Sequence, residues 1–172
     1  MFSDPIKNLK AFGLRDDNIV ADLGAGTGFY SVGTGQIVTR GKVYAIEINK
    51  DFLETIKHKV KDAHLDNVEI IWGDIEKRGG TKLADGVVDA VIASNVLSQV
   101  EDKEKFIEET KRILKPHGKA LIIDWSPDSS VISLKRAIAK SVAQTMFEKK
   151  GFTVERTVDA GAHHYGIIVS KN

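Results

Sequence analysis

Seven short runs rich in β-branched and aliphatic residues recur along this chain, and helical stretches separate the first six. The runs are Ile19–Leu23, Lys42–Ile48, Val68–Ile71, Val87–Ala93, Lys119–Asp124, Phe152–Thr157 and Tyr165–Ser170. Each has the length of a strand. Between them, Leu53, Ile56, Val60 and Ala63 recur at helical spacing, as do Phe106, Thr110, Ile113 and Leu114, and later Leu134, Ile138, Val142 and Met146. Asp102 is placed to cap the second of these helices. Lys115-Pro116-His117-Gly118 supplies its stop, and Gly151 ends the third. A strand followed by a helix, repeated, demands a parallel sheet covered on both faces.

The seventh run breaks the alternation. Only Val158–His164 separate it from the sixth, too few residues for a helical crossover, so the two strands must form an antiparallel hairpin. Glu76–Gly86 and Ser126–Ser130 read as loose segments. No repeat or composition break divides the 172 residues, and a single domain spanning 1–172 is expected.

Composition narrows the class. With 42% hydrophobic and 28% charged residues, the chain is neither disordered nor strongly biased toward nucleic acid at a net charge of +1. The absence of cysteine excludes disulfides and thiolate metal ligands. The densest basic run, Lys57-His58-Lys59-Val60-Lys61, fits a solvated helix face. Met1–Lys10 lack the apolar centre of a secretory signal, and no apolar run is long enough for a bilayer. The cytoplasm is the expected compartment, with no membrane partner.

The first strand runs into Asp22-Leu23-Gly24-Ala25-Gly26-Thr27-Gly28. Glycines at such a turn let the backbone leave the strand sharply and approach a ligand, while the next helix offers free N–H groups. A dinucleotide fingerprint needs glycine at the sixth position of G-x-G-x-x-G, but counting from Gly24 that position is Phe29. The third glycine falls one residue early, and an acid precedes the loop. Glu47 ends strand two, where a carboxylate can accept hydrogen bonds from both hydroxyls of a ribose. Gly33 and Gly35 fall within the helix after the loop. Each costs about 1 kcal/mol against alanine, which points to close packing there.

The D-x-G-x-G-x-G turn resembles the first motif of class I S-adenosylmethionine (AdoMet)-dependent methyltransferases. Trp72-Gly73-Asp74-Ile75, Leu83–Asp89, Ser94-Asn95-Val96-Leu97 and Leu114–Lys119 are similar to further segments of those related to ubiquinone and menaquinone C-methyltransferases. The resemblance implies a Rossmann-like three-layer α/β sandwich with a mostly parallel seven-stranded sheet, order 3-2-1-4-5-7-6, and strand seven antiparallel. It implies AdoMet as cofactor, bound by Asp22, Gly24, Ala25, Gly26, Thr27, Gly28, Tyr30, Glu47, Ile48, Gly73, Asp74, Ile75 and Ser94. Asp22 would face the cationic amino-acid end and Asp74 the adenine amine, with Ile48 and Ile75 against the ring.

The acceptor implied is a small molecule. RNA or protein acceptors, or a non-catalytic AdoMet or S-adenosylhomocysteine binder, are the alternatives, with a nicotinamide oxidoreductase as the rival at fold level. Ser98-Gln99 stand where relatives commonly carry a histidine pair, which weakens any claim about quinone precursors carried over from them. His163, His164 and Tyr165 open the last strand at the ligand face. Adjacent strand residues face opposite ways, so at most one histidine points inward. His164 is the expected catalytic group, with Asn95 or Asp124 across the pocket. No metal site is expected. The site is either open to a bulky substrate or roofed by Met1–Leu14 or another subunit.

Overall fold

The computed structural model describes residues 4–128 and 136–172. Leu134, counted above in a helical stripe, lies outside the described residues, as do Ser129 and Ser130 of the second loose segment.

A seven-stranded sheet runs in the order β3-β2-β1-β4-β5-β7-β6. Its strands are β1 (Ile19–Leu23), β2 (Lys42–Glu47), β3 (Val68–Trp72), β4 (Val88–Ser94), β5 (Leu114–Trp125), β6 (Phe152–Val158) and β7 (His164–Lys171). The neighbours from β3 to β5 pair in parallel, and β7 is antiparallel to both β5 and β6. The expected order and the hairpin are therefore both present. Successive residues on the central strands point to opposite layers. Ala21, Ile122 and Ile167 join one buried cluster, with Phe106 and Phe147. Val20, Leu121 and Ile168 join another, with Leu9 and Phe12.

The helices are α1 (Pro5–Phe12), α2 (Phe29–Ile37), α3 (Lys50–Asp62), α4 (Lys103–Ile113) and α5 (Lys140–Lys149). Asp102 caps α4 as anticipated, accepting from the Lys105 amide at 3.0 Å. Gly151 takes the left-handed conformation beyond α5, at φ +81°.

Four local expectations need correction. α1 was not read as a helix, although Asp4 caps it by accepting from the Ile6 and Lys7 amides and Pro5 opens it. On α5 the buried face is Ala143 and Phe147, one residue on from the expected stripe, and Val142 is 50% exposed. Alanine carries too weak an apolar signal to set that register. At the LKPHGK segment, Val88 pairs with Leu114 and Ala90 with Lys119, so the chain between bulges opposite Asp89 within a strand already begun.

The fourth concerns the β3–β4 connection, which contains turns and no helix and is far from loose. The Glu109 carboxylate on α4, fully buried, accepts from the Gly79 and Thr81 amides and the Thr81 hydroxyl. Arg112 grips the same carboxylate through Nε and Nη2 at 2.8 and 2.7 Å and reaches Asp85 at 2.6 Å. Burial alone would raise the Glu109 acid, but Arg112, Thr81 and the two amides together hold it down to about 2.

The helical glycines of α2 are also explained. A Cβ at Gly35 would lie 2.8 Å from Val68 and 3.0 Å from Leu65, so α2 packs there on the sheet edge and the approach to it. At Gly33 the close neighbour is Leu9 of α1, at 3.0 Å, so this contact is helix on helix.

Candidate functional site

Strands β1, β2, β3 and β4 are parallel and end on one side of the sheet, the side where open α/β sheets bind ligands. A cavity of about 600 Å³ opens there. Asp22, Gly24, Ala25, Gly26, Thr27, Tyr30, Glu47, Ile48, Gly73, Asp74, Ile75, Ser94, Asn95 and His164 all line it, which brings together the expected site residues except Gly28 and Asp124.

Gly28 sits one step behind the wall. It starts α2 in the left-handed conformation, and a Cβ there would press on Ile56 at 3.0 Å. Gly24 and Ala25 donate their amides to the Ile46 carbonyl, which ties the turn to β2. Gly24 has φ +68°, and a Cβ on it would come within 2.7 Å of Val96. Gly26 differs. Its φ is +54°, and the nearest atom to a Cβ would be the Gly24 carbonyl oxygen at 4.0 Å. This glycine keeps space open on the cavity side.

Asp22 is only 2% exposed and accepts from the Ser31 hydroxyl at 2.6 Å. Burial pushes its acid up to about 7; the Ser31 hydrogen bond opposes the rise and the nearby Glu47 charge adds to it. Glu47 is bound into the turn more fully than the sequence suggests. It accepts from the Gly26 amide on Oε2 (2.8 Å), and from the Ile48 and Asn49 amides on Oε1 (2.9 and 2.8 Å). Asp74 accepts from the Glu76 amide and pairs with Lys77 at 3.0 Å. A Cβ on Gly73 would strike the Gly80 carbonyl at 2.5 Å, so this glycine lets the next loop close behind Asp74. Ile48 is exposed and Ile75 partly buried, both on the cavity wall.

Across the cavity, His164 opens β7 opposite Trp125, the last residue of β5. The two rings lie 4.0 Å apart between centroids, tilted by 36°. His164 is 8% exposed, and neither ring nitrogen has a hydrogen-bond partner among the described residues. Burial lowers its pKa; Asp124 opposes this and His163 adds to it. Asp124 does not reach into the cavity. Its carboxylate, 1% exposed, accepts from the Ser98 and Trp125 amides. Asn95 adopts φ +58°, rare outside glycine but tolerated by asparagine, and its Oδ1 is buried without a partner among the described residues. Tyr165 faces the other layer, among the core residues.

Several lining residues were not foreseen: Pro5, Phe29, Phe52, Glu76, Gln99 and Trp125 among them. Trp125 was within reach of sequence reasoning, because it ends a strand at the ligand face. Pro5 belongs to the Met1–Leu14 segment named as a possible roof, of which Met1–Ser3 lie outside the described residues, although the helix α1 it opens was not expected. Ser98 is buried outside the cavity, and Gln99 lines it.

The fold and this cradle define a Rossmann-like sheet whose glycine turn is followed by acids at the ends of successive strands. The model of a methyltransferase domain matches residues 14–168, and the chain belongs to that family. Among curated proteins it is similar to the ubiquinone/menaquinone biosynthesis C-methyltransferase of Haemophilus ducreyi, 32% identical over 116 residues. That match covers 66% of this chain and 44% of the relative, so the chain spans less than half the length of such relatives. Among solved structures, a SAM-dependent methyltransferase from Aquifex aeolicus is 30% identical, with a TM-score of 0.90 over 99% of this chain and 91% of that one. The [4+2]-cyclase SpnF shares the fold at 13% identity, with a TM-score of 0.81 over 92% and 76% of the two chains.

Proposed function

We propose that this protein transfers the methyl group of AdoMet to a small-molecule acceptor. The observation that carries this reading is the acidic, open-turned cradle. Asp22, Glu47 and Asp74 come from the ends of three neighbouring strands onto one cavity, beside a glycine that leaves room for a ligand. A ligand carrying an ammonium and a sulfonium suits such a wall, and a pyrophosphate does not.

In this reading Asp22 takes the amino group and Glu47 the ribose hydroxyls. Asp74 takes the adenine amine, with Ile48 and Ile75 on the faces of the ring. Thr27 and Tyr30 flank the amino-acid end, and Ser94 stands between cofactor and acceptor. The remaining glycines hold the turn. When bound, AdoMet supplies an activated methyl group, so the protein's task is to place a nucleophile and exclude water. His164 and Asn95 would orient that nucleophile, and a neutral His164 would accept its proton where it arrives protonated. The residues described here form one sheet with its helices, consistent with a single domain across 1–172, and a cytoplasmic setting fits the composition. No helix among the described residues is long and apolar enough to cross a membrane.

Titration calorimetry tests the cofactor directly: AdoMet and S-adenosylhomocysteine should bind in the micromolar range or tighter, and NADH should not. Binding of NADH alone would overturn the reading. A second reading is an AdoMet-binding protein that does not transfer methyl groups, because a fold does not by itself dictate the reaction carried out on it. Labelled-methyl screening over metabolite and RNA pools separates the two.

A further inference from the structure

The cavity wall opposite the glycine turn has a chemistry of its own. His164, more than nine-tenths buried, presents two ring nitrogens with no partner among the described residues, and Asn95 adds a buried Oδ1 in the same condition. A neutral imidazole offers one donor and one acceptor, and the asparagine oxygen only accepts. Buried polar atoms of this kind are met by a ligand or water that supplies the missing hydrogen bonds. Among these buried unpartnered atoms acceptors outnumber donors, so an occupant that meets them all donates at least one hydrogen bond. Trp125, its ring 4.0 Å from that of His164 and tilted by 36°, adds an aromatic surface to the wall that suits a planar molecule.

Charge narrows the occupant further. Four carboxylates line the cavity, those of Asp22, Glu47, Asp74 and Glu76, and among the described residues no lysine or arginine does. Asp124, behind His164, is committed to the Ser98 and Trp125 amides. An anionic group brought to this wall would meet no lysine or arginine among the described residues, and the ammonium and sulfonium that AdoMet brings are outweighed by its own carboxylate and the four lining the cavity.

We infer that the Trp125–His164–Asn95 wall is the acceptor subsite, and that it takes an uncharged planar molecule donating an O–H or N–H hydrogen bond and turns anionic molecules away. The inference rests on the methyltransferase reading and sharpens it, since it disfavours nucleic acid and carboxylate-bearing or phosphorylated acceptors.

Phenol and benzoate test it, being of similar size and flatness, one a neutral donor and the other an anion at pH 7.5. The full chain is saturated with S-adenosylhomocysteine, and each probe is titrated while the histidine side-chain NMR signals are followed. Phenol should shift the His164 resonances and bind at least tenfold tighter than benzoate, and His164→Ala should weaken phenol about tenfold while S-adenosylhomocysteine affinity holds. Benzoate binding as well as phenol, or neither probe moving His164, overturns the inference and leaves the cofactor reading intact. The comparison of probes on the parent protein needs no variant to fold. Failure of S-adenosylhomocysteine to bind in the first step is the distinct result that removes both readings.

Discussion

Glu47 shows how one side chain serves fold and ligand together. The sequence placed it at a strand tip, where a ribose would be held. The structure adds that it accepts three backbone amides and so fixes the turn that carries Gly26. Glu47→Ala should therefore weaken AdoMet by about 1.5–3 kcal/mol, as for a lost hydrogen bond to a charged group, and also lower the melting temperature. Gly26→Val should abolish measurable binding, because a branched residue is strained at φ +54° and its side chain enters the open space. Calorimetry and thermal melts on the two variants distinguish the effects; binding equal to the parent in both would misplace the cradle. The glycine spacing was legible because backbone geometry dictates residue type there. The three amide bonds to Glu47 were not, because they depend on how β2 and the turn meet in space.

Elements were legible in proportion to the regularity of their pattern. β1 begins and ends where its apolar run does, and the short Val158–His164 connection forced the hairpin. α1 is only eight residues long, and although Asp4-Pro5 is a sound start signal, its burial of Leu9 and Phe12 depends on α2 and the sheet lying beneath it. The β3–β4 connection looked loose because its anchor, Glu109, lies about 30 residues further on, in a helix whose other features suggested only an amphipathic face. Glu109→Gln should cost about 3 kcal/mol, leaving Arg112 beside a neutral partner. Its acid is lowered on folding, so the stabilisation is fully present above the ordinary carboxylate range and fades as pH falls toward about 2. Urea melts between pH 7 and pH 3 should show the parent losing stability on acidification more steeply than the variant, and equal slopes would refute the assignment.

For the molecule as a whole, Asp22 works in the opposite sense. Folding raises its acid to about 7, so the folded state holds this proton more tightly than the unfolded chain. The associated stability is complete below the ordinary Asp range near pH 4 and is lost as pH rises through about 7, by about 1.4 kcal/mol per pH unit within that window. Cofactor-free Asp22→Asn should then be more stable than the parent at pH 8 by roughly 2–4 kcal/mol while losing AdoMet affinity; a variant less stable at that pH would refute the account. The fold thus keeps a destabilising carboxylate where a cation is to arrive, a conflict that sequence patterning does not display because it arises only on burial. The same burial makes ligand capture an acid–base event. Near pH 7, docking an amino group beside Asp22 should drive off roughly half a proton per molecule, fading above pH 8.5 as the carboxylate is already ionised. Titrations of S-adenosylhomocysteine in phosphate and in Tris, whose ionisation heats differ, would count that proton. Identical heats in the two buffers at pH 7 would mean that Asp22 is ionised before the ligand comes.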